Sequence, residues 1–150
     1  MDAPVDDIAP ARYTRMPSWL IGQASILGHR ILVETMAAAG ARGYHYRLLA
    51  TLEEFGPASQ ATLGRRSGIH LSDMVAAINE LAERDFVERS PDPEDRRRNI
   101  ITITAAGRRE ARRLEKRAEQ VQEELLAPLS AEEREQLTGL LSRILDHHRA

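Results

Sequence analysis

A mainly helical chain carrying one small β-hairpin is predicted by three features of the sequence. Apolar residues recur at helical spacing through most of it, from Leu20 to Leu81 and again from Ala111 to Leu145. The recurrence breaks at Phe86-Val87-Glu88-Arg89 and Asn99-Ile100-Ile101-Thr102-Ile103, two short β-prone runs. Between these runs, Ser90 to Arg98 holds Pro91, Pro93, three acids and three consecutive arginines, a composition no regular element accommodates. It reads as a hairpin loop with a basic tip.

Each element follows from local signals. Residues 1–16, with Pro4, Pro10 and three aspartates, have no sustained period and are expected to form a mobile arm. Pro17-Ser18 opens a helix expected over 17–40, with Leu20, Ala24, Leu27 and Ile31 on one stripe and Ile26, Val33 and Met36 widening it; Gly40 and Gly43 end it. A second helix, Tyr44 to Phe55, places Leu48, Leu49 and Leu52 on one side and stops at Gly56-Pro57. Ser59 caps a short third helix around Leu63, with its exit at Gly68. In the fourth, from Leu71 to Arg84, the stripe Met74, Val75, Ile78, Leu81 and Ala82 is expected inside, with His70, Ser72, Asp73, Ala76, Ala77 and Asn79 exposed near its start. After the hairpin, Thr104 caps a long helix whose seam is Ala111, Leu114, Ala118, Val121 and Leu125. Pro128 ends it, and the capping box Ser130-Ala131-Glu132-Glu133 opens a last helix striped by Leu137, Leu140, Leu141, Ile144 and Leu145.

Composition removes whole classes of function. A chain of 150 residues suits one domain, or one domain with an oligomerisation element. Without cysteine there is no disulfide, thiolate zinc site, cysteine nucleophile or thiol redox sensor. The apolar stretch from Trp19 to Ala39 is interrupted by Gln23, His29, Arg30 and Glu34, so no membrane span is expected. Asp2, Asp6 and Asp7 stand where a secretion signal carries positive charge, and a cytoplasmic location is the expectation. Among the five histidines no His-x-x-x-His pair occurs, and adjacent His147 and His148 point about 100° apart on a helix, so no metal or other cofactor is expected. No phosphate-binding glycine loop or nucleophile elbow argues for an enzyme.

The net charge of −2 conceals a polar distribution. From Glu94 to Arg117, nine basic residues face four acidic ones; from Ala118 onward, three basic residues face seven acidic ones. One region suits a polyanion. The order helix, helix, short helix, turn, helix, strand, basic loop, strand is a winged helix-turn-helix, flanked by terminal helices with their own apolar seams. Its DNA-binding reading sends the fourth helix into the major groove and the basic hairpin into the adjacent minor groove. The alternative is a protein-binding winged helix whose charged loop is merely solvated. On the fourth helix no Arg or Lys precedes Arg84, so His70, Ser72, Asp73 and Ala77 are candidates for modest base contact while the wing carries the affinity. Ser59 and Gln60, at the start of the third helix, and Arg66 are candidates for phosphate contact.

The run Asp92-Pro93-Glu94-Asp95-Arg96-Arg97-Arg98-Asn99-Ile100-Ile101-Thr102-Ile103-Thr104-Ala105-Ala106-Gly107 resembles the wing signature of the MarR family of transcriptional regulators, D-P-x-D-R-R-x-x-x-x-x-L-T-x-x-G, with Ile103 replacing the leucine. Residues 56–68 resemble the first helix of that family's DNA-binding pair. The resemblance implies a homodimer built by residues 17–40 and 105–150, with a DNA-binding domain over 44–104. It implies a pseudo-palindromic operator on double-stranded DNA, repression, and often release by a small aromatic or phenolic ligand. A regulator without any effector is the alternative. Asp95 and Arg97 match the family's D-x-R pair, which makes Arg97 the candidate for the minor-groove arginine, Arg96 the next, and Arg98 a phosphate contact. Trp19, His29, Tyr44, His45 and Tyr46 fall on the helices expected to line an effector cleft, where aromatic bodies with polar tips suit such a ligand.

Overall fold

A computed structural model describes residues 10–150. Of the expected N-terminal arm, residues 1–9 lie outside the described part, and Ala11–Thr14 forms a single helical turn, α1, anchored where the Tyr13 N–H donates to the Pro10 carbonyl at 2.8 Å. The order continues with α2 (Pro17–Ala38), α3 (Gly43–Phe55), β1 (Ala58–Ser59), α4 (Gln60–Ser67), α5 (Leu71–Glu83), β2 (Val87–Pro91), β3 (Asn99–Ile103), α6 (Ala105–Leu125) and α7 (Ala131–Arg149). The fourth helix expected from the sequence is therefore α5. The chain divides into two compact units: Leu32–Glu119, and the chain up to Ile31 together with Gln120–Ala150.

In the unit Leu32–Glu119, an antiparallel sheet of order β1-β3-β2 packs with the helices. Val87 to Pro91 pairs with Ile103 to Asn99, so Pro91, which has no N–H to give, sits at the far end of an edge strand. The third strand, β1, pairs Ala58 with Ile101 and Ser59 with Ile100. Two residues cannot display an alternating pattern, and the sequence offered no sign of it. The core is built from Met36 on α2, Leu48, Leu49 and Leu52 on α3, Leu63 on α4, Met74, Ile78 and Leu81 on α5, Ile101 on β3 and Leu114 on α6, each at most 2% exposed.

Two expectations about α5 are corrected. Ala77 is buried at 4% and Val75 is 42% exposed, the reverse of the predicted pattern. The inner face is Met74, Ala77, Ile78 and Leu81, a complete i, i+3, i+4, i+7 set that spans about 100° of the helix. Val75 lies about 100° round from Met74 and is left outside it. Small Ala77 lets the helix approach the core closely, a packing choice that a hydrophobicity ranking misses.

In the other unit, Val121 is buried, and a Cβ added to Gly28 would meet Leu125 Cδ2 at 3.2 Å, so the glycine marks a close approach of α2 to α6. Arg134 closes the end of α6 by donating from Nε to the carbonyls of Leu126 and Leu129, each at 3.2 Å, while pairing with Glu123 at 2.8 Å. The capping box of α7 forms: the Glu133 N–H donates to Ser130 Oγ, and the Ser130 N–H donates to Glu133 Oε1. Leu20, Ile21, Ile26 and Leu27 on α2 and Leu140, Ile144 and Leu145 on α7 are about half exposed or more. No helix among the described residues is long and apolar enough to cross a membrane.

Candidate nucleic-acid interface

The helix-turn-helix is set by its caps. Ser59, extended and paired in β1, accepts the Thr62 N–H at 3.3 Å and so opens α4. Gly68 ends α4 with φ of 68°, a left-handed conformation that glycine adopts without penalty. Ile69 is buried, and His70 then caps α5, its Nδ1 accepting the Ser72 N–H at 3.4 Å and lying 3.0 Å from Ser72 Oγ. Ser59 thus has a structural duty, while Gln60, at the first turn of α4, is partly exposed beside helix N–H groups. Arg66 lies over the Phe55 ring, 5.2 Å from its centroid, so its guanidinium is held at the surface rather than swinging freely.

The wing tip is tied by its own acids. Asp92 Oδ1 accepts the Glu94 N–H at 2.9 Å, the Asp92 N–H donates to the Arg98 carbonyl, and the Arg98 N–H donates to the Asp95 carbonyl. Asp95 Oδ1 accepts both the N–H and the Nε–H of Arg97, at 3.1 and 3.2 Å, while Oδ2 lies 3.6 Å from Arg98 Nε. These bonds, first the Arg97 N–H, then its side chain, with the Arg98 charge adding, hold the Asp95 carboxyl below the ordinary aspartate range. The Arg97 side chain is nevertheless 91% exposed. One carboxylate therefore orients two arginines that remain available to a polyanion. Arg96 stands exposed beside them.

Behind the tip, the root of the wing is locked to α6. The Thr104 N–H donates to the Phe86 carbonyl, its hydroxyl donates to the Asp85 carbonyl at 2.7 Å, and the same oxygen accepts the Gly107 N–H at 2.9 Å. A Cβ on Gly107 would overlap the Phe86 carbonyl oxygen and come within 2.8 Å of Ile103 Cγ1. The Thr-x-x-Gly ending of the wing motif is thus a helix cap joined to a close backbone approach. Arg89 on β2 donates to Asn79 on α5, linking the wing to the outer face of that helix. No spacing rule could have found this bond, since its partners lie on different elements.

The five residues expected around an effector divide between the two units. On α2, Trp19 is half-buried and His29 exposed. On α3, Tyr44 is exposed, and Tyr46 packs against the core, where burial first, then Glu115, Glu119 and Glu53, raise its phenol above the ordinary range. His45 is committed elsewhere. Its Nδ1 accepts the Arg42 N–H at 3.3 Å, so Nε2 carries the proton and donates to Glu80 Oε2 at 2.7 Å. That pair, with Arg42 3.5 Å from Glu80, fastens the start of α3 to α5 beside a hollow of about 440 Å³ lined also by Gly40 and Arg84. No group of side chains among the described residues is arranged to hold a metal ion.

A short α4, a turn, a capped α5 and a hairpin tipped with oriented arginines define a winged helix-turn-helix protein. Residues 44–98 match the profile of the MarR family. Over 98 residues the chain is 32% identical to the HTH-type transcriptional repressor NicR of Pseudomonas putida, a match covering 65% of this chain and 62% of that protein, somewhat under two thirds of its length. The crystal structure of a probable transcriptional regulator from Pseudomonas aeruginosa superposes with a TM-score of 0.76 at 30% identity, covering 87% of this chain and 98% of the other. The PcaV regulator of Streptomyces coelicolor, solved with its natural ligand, gives a TM-score of 0.73 at 28% identity, with coverage of 92% and 97%. The chain belongs to the MarR family of transcriptional regulators.

Proposed function

We propose that the protein is a homodimeric repressor of a pseudo-palindromic operator. Its two copies of α5 would enter successive major grooves about 34–36 Å apart, with Arg97 of each wing in the adjacent minor groove and Arg96 and Arg98 on the flanking backbone. The observation that carries the reading is the single Asp95 carboxylate holding two exposed arginines at the tip of a hairpin rooted beside α5. Pre-ordering a long guanidinium reduces the entropy lost when it enters a groove. NicR's name supports repression. The half-exposed apolar residues of α2 and α7 support self-association, because a monomer would leave Ile26 and Leu140, 63% and 55% exposed, in water. Residues 17–40 and 105–150 are the proposed dimerisation segments, and 44–104 the DNA-binding domain.

The relative PcaV has a natural ligand, which supports an effector here; its proposed small aromatic or phenolic character rests on the aromatic side chains of α2 and α3. Tyr44 and Tyr46 on α3 are proposed contacts, and Trp19 and His29 on α2 are separate candidates, each to be tested singly; His45, with both nitrogens occupied, contributes structure. The decisive test is DNA binding to duplexes from the region upstream of its own gene, measured by fluorescence anisotropy over a salt series. Replacing Arg96 and Arg97 by alanine is expected to weaken binding about 10- to 100-fold and flatten the salt dependence, with sedimentation still reporting a dimer. Unchanged affinity in the double variant, or a wild-type monomer at micromolar concentration, would overturn the mechanism.

A further inference from the structure

The outer face of α5 differs from what the sequence suggested, and the difference bears on which bases the protein reads. With Met74, Ala77, Ile78 and Leu81 inside, the face turned away from the core carries Ser72, Val75, Ala76 and Asn79, with Leu71 at its start. The hydrogen-bonding members of this face are engaged within the chain. Ser72 Oγ is paired with His70 Nδ1, and Asn79 Oδ1 is taken by the Arg89 guanidinium. An asparagine reads adenine by offering its oxygen and its amide together, so the Arg89 bond removes half of that pairing. Asp73, an acid in the first turn of α5, suits the helix dipole but opposes nearby phosphates.

Besides the Asp73 carboxylate and the Asn79 amide, what this face exposes to a groove floor is apolar: Leu71 at 64% exposure, Val75 at 42%, and the exposed methyl of Ala76. Leu71 and Val75 are one turn apart and form a short strip, and Ala76 stands about 100° round the helix from Val75, on the far side of Ser72 and Asn79. In water such a strip has no favourable partner. The major groove of B-DNA offers a single apolar group, the thymine C5-methyl. We infer that α5 selects its half-site chiefly through thymine methyl groups packed against Val75, Ala76 and Leu71, so that the bases under the middle of the helix are A·T pairs with thymine placed toward this strip. This deepens the proposed operator recognition and rests on it. Specificity then comes from shape and methyl burial on α5, while the arginines of the wing supply most of the attraction.

The test uses the full-length protein. Bound sites are first selected from a random-core duplex library, and the best duplex is then remade with deoxyuridine replacing thymidine at one position at a time, which removes only the methyl group. Loss of about fourfold in affinity is expected for each thymine under α5, the worth of one buried methyl, and none for thymines outside the half-sites. Val75→Ala, on an exposed position that leaves the fold intact by circular dichroism, is expected to abolish the preference for thymine over uracil at one position of each half-site. The isostere Val75→Thr, which keeps one methyl against the base, retains part of it. Equal binding of every uracil-substituted duplex, or selected half-sites lacking A·T pairs under α5, overturns this inference alone. Recovery of no duplex from the library overturns the operator reading together with it.

Discussion

Gly107→Ala discriminates sharply between local propensity and tertiary packing. Gly107 lies in the first turn of α6, and on a free helix the change to alanine would stabilise by up to about 1 kcal/mol. In this fold the new methyl would occupy the place of the Phe86 carbonyl oxygen, with Ile103 Cγ1 2.8 Å away. Neither neighbour is a pliant side-chain end. That carbonyl accepts the Thr104 N–H, and Ile103 is a core residue of β3. Overpacking of this kind costs roughly 1–3 kcal/mol, and loosening the Thr104 bond costs about 1 kcal/mol more. The net is a destabilisation near 2 kcal/mol, or roughly 4–8 °C of melting temperature for a chain of this size. Thermal unfolding followed by circular dichroism at one fixed protein concentration measures it, since association shifts the midpoint by mass action. Gly139→Ala is the matched control: it lies within α7 with open space around its Cβ, so the same substitution there is expected to raise the melting temperature by about 2–4 °C. A Gly107→Ala protein that melts at or above the wild-type temperature would refute the close approach between the wing root and α6.

Five further outcomes are expected. Asp95→Ala should weaken DNA binding severalfold with little change in melting temperature, because it removes the acceptor that tethers Arg97 at the exposed tip while the core is untouched. The same carboxylate has a lowered folded-state pKa, so its tie to Arg97 is complete above the ordinary aspartate range and is lost as pH falls through the depressed value; the Arg97 Nε–H resonance in an acid NMR titration should report a midpoint below that of an unstructured peptide. Leu114→Ala, at a position with no exposure, should cost about 2–5 kcal/mol in denaturant unfolding. Glu80→Ala should cost roughly 1–3 kcal/mol by leaving the His45 Nε2–H without its acceptor, whereas Glu80→Gln, which keeps a carbonyl, should cost clearly less by the same measurement. The phenol of Tyr46 is raised, so its contribution is present through neutral pH and lost as pH climbs past the folded-state value; ultraviolet titration of the native protein should show one tyrosine ionising later than in Tyr46→Phe.

Much of this architecture is written in short-range signals. Ser59, Gly68, Thr104 and Ser130 mark helix ends because a cap is decided by a few neighbouring residues, and each performs that role in the fold. The hairpin loop was legible for the same reason, from its prolines, acids and arginines, while the pairing of Asp95 with Arg97 was implied by the family resemblance and the turn bond of Asp92 came only with the structure. Reading failed where the outcome depended on a distant surface. Residues 71–84 announce an amphipathic helix, yet only the core decides that small Ala77 faces inward and larger Val75 faces out. The aromatic and histidine residues at 44–46 suggest a binding site as a group, yet Glu80, 35 positions away, engages His45, which no local pattern announces.

The amino-acid order alone determined the six long or capped helices from Pro17 onward, most of their ends and the basic hairpin, because turns, caps and periodicity are interactions over three or four residues. Tertiary structure decided the third strand at Ala58, the bond from Arg89 to Asn79 and the face that α5 turns outward. Each of these joins segments whose encounter depends on how the whole core closes, and burial energy shared among many side chains leaves no local trace at any one of them.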